Sequence, residues 1–114
     1  MKNVKWIGNS HERLRSFPKA ARQIVGDALR IAQIGGKHRN AKPLIGVGSG
    51  VFEIVARYDT NTYRAVYTVK IGENIYVLHV FQKKSTRGIR TPKREIDLIK
   101  QRLRMAREME AENE

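Results

Sequence analysis

The chain contains no cysteine among its 114 residues. That removes disulfide stapling and thiolate zinc sites at once, and leaves packing alone to hold the fold. Long apolar runs are also missing: none approaches the roughly 20 residues that cross a bilayer, and the first stretch, MKNVKWIGNSHERL, has no apolar signal-peptide core. The basic segments lack the Trp and Phe that would seat an amphipathic anchor among headgroups, so no membrane partner is expected, and the reading is a cytoplasmic protein. Acids are scarce, 11 against 23 Lys and Arg, which gives a formal net charge of +12. A field of that sign draws in polyanions, and nucleic acid is the leading partner class.

The basic residues are concentrated. Positions 83–107 hold ten of them against only Glu95 and Asp97, and Glu108, Glu110, Glu112 and Glu114 follow in the last seven positions. A block of this kind suggests one localised binding face. With 40% hydrophobic and 30% charged residues the composition is that of a globular chain, and the length fits a single domain spanning residues 1–114.

VKWIG reads as a short strand, and Ser10 as the cap of the short helical turn that follows. From Pro18, the residues Ala21, Ile24, Val25, Ala28, Leu29 and Ala32 keep one helical face until Gly35-Gly36 stops it. KHRNAKPLIGVGSG has no period and reads as an irregular cationic loop; its GVGSG lacks the Lys-Ser/Thr ending of a phosphate cradle. VFEIVARYD, TYRAVYTVKI and NIYVLHVFQK, separated by DTNT and GEN, predict an antiparallel meander. From Pro92, Ile96, Ile99, Leu103 and Ala106 mark a last helix. The expected class is α+β, in the order β-α-α-β-β-β-α, with an antiparallel sheet packed by helices.

A four-residue DTNT loop would pair Tyr58 with Tyr63 and set Arg57 opposite Arg64, which in turn would oppose Phe81. One face then gathers Phe52, Ile54, Ala56, Tyr63, Ala65, Tyr67, Val69, Leu78 and Val80 as a core surface. The other gathers Arg57, Arg64, His79, Phe81 and Lys83, with Val55, Val66 and Val77 further along. Two arginines opposed across a hairpin repel unless an anion sits between them, so this face is the expected site; the bland alternative is a pair of solvated arginines that splay apart. His79 is a candidate acid or base, although a histidine in the most apolar strand is more often a satisfied core residue. Neither His11 nor His38 has a partner at metal-like spacing, and no metal or other cofactor is expected.

The hairpin VFEIVARYDTNTYRAVYTV, followed by IYVLHVFQKKSTRGIRTPKREIDLIKQRL, resembles the RelE/HigB superfamily of toxin endoribonucleases, in particular its HigB-like, phage-derived branch. The most specific match is the Phe-x-Lys-Lys that ends the last strand, with Thr-Pro opening the last helix. The resemblance implies a RelE-like fold, metal-independent cleavage of mRNA on the ribosome, and a co-encoded helix-turn-helix antitoxin. It places Arg64, Lys83 and Lys84 at the scissile phosphate and Arg57 on a further basic position of the site. Many members complete the site with a Tyr, or an acid and a His, near the C-terminus; this chain has neither Tyr nor His after His79, so the resemblance assigns no general base. Simple alternation puts Lys84 on the face opposite Arg64, unless a bulge at the strand end re-aims it. Arg87, Arg90, Lys93 and Arg94, beyond the strand, are expected to hold the RNA backbone. The same basic face would also suit a non-catalytic nucleic-acid-binding module, whose affinity would fall in small steps with each Lys removed.

Overall fold

The computed structural model describes residues 1–83 and 91–113. Its elements are β1 (Asn3–Trp6), α1 (Ser10–Arg15), α2 (Lys19–Gln33), β2 (Ala41–Pro43), β3 (Val51–Tyr58), β4 (Asn61–Ile71), β5 (Asn74–Lys83) and α3 (Lys93–Glu112). The five strands form one sheet in the order β1-β5-β4-β3-β2; β1 lies parallel to β5 and every other pairing is antiparallel. The α+β class and helix-covered sheet are as the sequence predicts. The difference in element order is β2, a three-residue edge strand inside the segment expected to be irregular, where Ala41 pairs with Ile54 and Lys42 with Glu53.

A helix covers each face. On one, Val25, Ala28 and Leu29 of α2 pack on Ile54, Ala65, Tyr67 and Val77. On the other, Ile99, Leu103 and Ala106 of α3 pack on Val66, Leu78 and Phe81. Pro18 and Pro92 stand just before α2 and α3, where a missing N–H is harmless and a fixed φ suits the first turn. Ser10 does not cap its helix. Asn9 occupies that position, and the buried Ser10 hydroxyl donates instead to the Val77 carbonyl at 3.2 Å, tying α1 to β5.

Two features move residues from their expected places. The β3–β4 loop is Asp59-Thr60 alone, turning through Asp59 at φ 58°, a conformation that Asp tolerates better than most residues. Tyr58 therefore pairs with Asn61, Tyr63 with Ala56, and Arg57 opposes Thr62 instead of Arg64; the pairing of Arg64 with Phe81 is as expected. The second feature is a bulge: Val66 pairs with His79 but Tyr67 with Val77, so Leu78 is the extra residue. Past it the faces exchange, which puts Val77 against α2 and Leu78 against α3, the reverse of simple alternation. Tyr76 likewise joins the α3 side, where its hydroxyl donates to Glu110 at 2.7 Å; burial, and then that carboxylate, raise its pKa to about 12.

The hold of α3 on the sheet rests on few apolar side chains, because most of its surface is charged. Ile99, fully buried, is central among them. Ile99→Ala is expected to lower unfolding stability by about 2–5 kcal/mol, read from urea midpoints; a loss below about 1 kcal/mol would mean that α3 is held mainly by its polar contacts.

Candidate functional site

The α3 face of the sheet carries three cross-strand rows toward one end. Arg57, Thr62 and Lys83 form the outermost; Val55, Arg64 and Phe81 the next; Lys42, Glu53, Val66 and His79 the third. Arg64 is thus a diagonal neighbour of both Glu53 and Lys83, a separation that long side chains bridge. Its guanidinium lies 2.6 Å from Glu53 Oε1, with both side chains almost wholly buried, at 4% and 2% exposure. The other oxygen of Glu53 accepts from the Thr91 hydroxyl at 2.7 Å, just before α3. The carboxylate is therefore held from both sides, and the arginine is fixed by it.

Lys83, half-buried at the end of β5, has its pKa held below the ordinary lysine value. Burial is the main cause; the charges of Arg64 and Lys42 add to it and Glu53 opposes it. Three cations thus lie around one buried acid toward the end of this face. Arg57, exposed at the strand end, adds a fourth positive side chain in the row of Lys83.

A second polar cluster lies deeper, under α3. His79 Nε2 stands 2.5 Å from Glu95 Oε2, and Arg102 approaches His79 Nδ1 at 3.2 Å while donating to the Leu78 carbonyl and to Asn9. An arginine N–H can only donate, so Nδ1 accepts and the proton sits on Nε2, pointing to Glu95. Burial holds the His79 pKa below its ordinary value; Glu95 works against this, and Arg102 and Arg13 reinforce it. The ring is neutral, stacked on Phe81 at 4.9 Å, and engaged at both nitrogens.

The structure brings together Arg57, Arg64 and Lys83. The opposed-arginine pair expected from the sequence is absent: the anion beside Arg64 is internal, supplied by Glu53, and Arg57 lies one row further out. Lys93 and Arg94 begin α3 and are exposed, with Arg94 3.8 Å from Glu95. Lys84, Arg87 and Arg90 fall outside the described residues. Sequence reasoning passed over Glu53, Thr91, Lys42, Glu95 and Arg102. The signals were present: Glu53 is the one acid in VFEIVARY, and Glu95 and Arg102, seven apart, share a helical face with Ile99. Among the described residues, no group of three or more His, Asp or Glu is placed to hold a metal ion.

Residues 12–104, from α1 into α3, match the family described as phage derived protein Gp49-like (DUF891). The chain belongs to that family. The Gp49-like family is a RelE/HigB-type toxin family, so the protein is a phage-related toxin of the toxin–antitoxin kind, and an antitoxin is its implied partner. No curated protein matches the chain. Among the described residues of this Gp49-like chain, no helix is long and apolar enough to cross a membrane.

The lowered pKa of His79 has a consequence for stability. The unfolded chain binds a proton at this histidine at higher pH than the folded chain does, so stability rises with pH across that interval. It is expected to be retained above the ordinary histidine value of 6.5 and lost as the pH falls below it toward the folded value. Thermal melts between pH 8 and about 5 should show this fall, and His79→Gln should flatten it. Equal pH slopes in the two proteins would show that His79 does not titrate across folding.

Proposed function

We propose that this chain, as one toxin domain over residues 1–114, is an endoribonuclease of the HigB-like branch that cleaves mRNA on the translating ribosome without a metal ion. The observation that carries the reading is the Glu53–Arg64 pair beside Lys83: a guanidinium fixed in a buried place and an ammonium with a lowered pKa, on the same face of paired strands. In the proposed reaction a ribose 2′-hydroxyl attacks the adjacent phosphorus. The O2′–P bond forms as the 2′-hydroxyl proton passes to solvent water, and the P–O5′ bond breaks as the 5′-oxygen takes up a proton, leaving a 2′,3′-cyclic phosphate and a 5′-hydroxyl. Negative charge gathers on the non-bridging oxygens, where Arg64 and Lys83, with Arg57 and Lys84 in support, would stabilise it. A lysine whose pKa is depressed also gives up a proton more readily, which suits Lys83 to protonate the departing 5′-oxygen.

His79 is engaged at both nitrogens beneath α3, so we assign it to positioning α3 instead of taking the 2′-hydroxyl proton. The ribosome would orient the substrate, and free RNA should be cut poorly for want of that orientation. Lys93 and Arg94, exposed at the start of α3, together with Arg87 and Arg90, would hold the RNA backbone. The antitoxin is proposed to be a co-encoded helix-turn-helix protein whose acids, or bulk, close this cationic face.

Induction of the gene in a bacterium, with mapping of mRNA ends, tests the activity: new ends within translated codons are expected, and growth arrest without them would contradict it. On purified ribosomes, Arg64→Lys keeps the charge beside Glu53 but loses the planar fork, and Lys83→Met removes the ammonium. Each should slow single-turnover cleavage on the order of a hundredfold while binding nearly normally. Lys93→Ala and Arg94→Ala should weaken binding in a salt-dependent way and keep the rate at saturation. If all four lost affinity alike and none lost rate, the protein would be a non-catalytic nucleic-acid-binding module.

A further inference from the structure

Beside the Glu53–Arg64 pair lies a cleft of about 500 Å³, lined by Lys42, Pro43, Leu44, Ile45 and Ile96, with Glu53 and Thr91 at its polar end. The volume is within the range of small-ligand pockets, roughly 300–1,000 Å³. Its rim contains an unusual surface residue: Ile45 is 84% exposed, although most large aliphatic side chains of the chain are buried. The cleft opens from β2, the edge strand that puts Lys42 directly across from Glu53. Glu53, which lines it, is also the partner of Arg64, so the cleft adjoins the cationic cluster.

We infer that this cleft is a nucleobase subsite, which receives the base of a nucleotide adjoining the phosphate held by Arg64 and Lys83; the inference rests on the ribonuclease reading above. The chemistry of the cleft favours a base over other occupants. A nucleotide presents one anionic group beside one flat, largely apolar ring, and this end of the sheet presents cations beside an aliphatic wall. Lys42 gives the cleft a positive rim, which suits a strand of phosphates and not an uncharged apolar ligand. RNA-reading sites commonly accept splayed bases against side-chain surfaces and read their edges by hydrogen bonds. At the polar end stand both kinds of group: the Lys42 ammonium, which donates, and the Glu53 carboxylate and Thr91 oxygen, which accept, the Thr91 proton being already given to Glu53. Such an edge offers a donor as well as acceptors, so cytosine and uracil should both be accepted.

The test uses the full chain with methyl-labelled isoleucine and leucine, titrated with cytidine 3′-monophosphate, uridine 3′-monophosphate and inorganic phosphate. Both nucleotides should shift the Ile45 and Ile96 methyl signals, whereas phosphate should leave those methyls in place. Ile34, exposed at the far end of α2, is the control. Ile45→Ser, at an exposed position, should weaken nucleotide binding by about fivefold and phosphate binding less. Nucleotides that perturb the protein in the same pattern as phosphate would overturn the subsite while leaving the ribonuclease reading standing. Methyls that respond to a bound antitoxin but to neither nucleotide would assign the cleft to a protein partner and equally overturn it. If neither phosphate nor nucleotide bound at all, the subsite would be overturned, whereas the ribonuclease reading stands or falls on the mRNA ends mapped after induction.

Discussion

A buried ion pair organises the end of the sheet. Glu53 and Arg64 sit on adjacent strands, 2.6 Å apart and nearly sealed from water. A pair of this kind adds little net stability, because removing two charges from water costs about what their attraction returns, but breaking it by deleting one partner is severe. Its value here is geometric. It turns a long cationic side chain into one held in a single direction, and it does so with a carboxylate that Thr91 holds from the other side. The position of α3 and the orientation of Arg64 are thereby linked, since Thr91 lies immediately before that helix.

The same face shows how burial can be put to use on one lysine. Lys83 loses hydration at the strand end and meets two other cations, and both effects favour its neutral form. Glu53 limits the effect. The result is a cluster in which one acid serves three bases: it fixes Arg64, moderates Lys83, and pairs across the strand with Lys42. Deeper under α3, the His79–Glu95–Arg102 cluster anchors the helix that covers these residues and ties it to Asn9 at the start of α1.

Much of the fold was legible because the signals were strong and local. The face of α2 from Ala21 to Ala32, its Gly stop, and the three long alternating strands were each set by period and punctuation. Non-local geometry was less legible. The hairpin loop shortened from four residues to two because Asp59 takes a positive φ without a glycine, and that change slid Arg57 away from Arg64. The bulge at Leu78 exchanged two side chains between faces with no residue to announce it. For the site, Arg64 and Lys83 were found from charge and resemblance, whereas Glu53 was missed because an acid in a strand reads as a solvent-facing residue until its cross-strand partner is known. Lys42 was hidden for a related reason: its strand is only three residues long and takes its form from β3, not from its own sequence.

The central claim is that Arg64 acts on the transition state as Glu53 holds it, as one unit. A double-mutant cycle measures this directly, with Glu53→Gln, Arg64→Lys and the double variant compared in single-turnover mRNA cleavage on ribosomes. If the two residues act together, the double variant should be little slower than Arg64→Lys alone, because the work of Glu53 passes through the arginine it orients. Losses that multiply, or a Glu53→Gln variant that cleaves at the wild-type rate, would contradict the account.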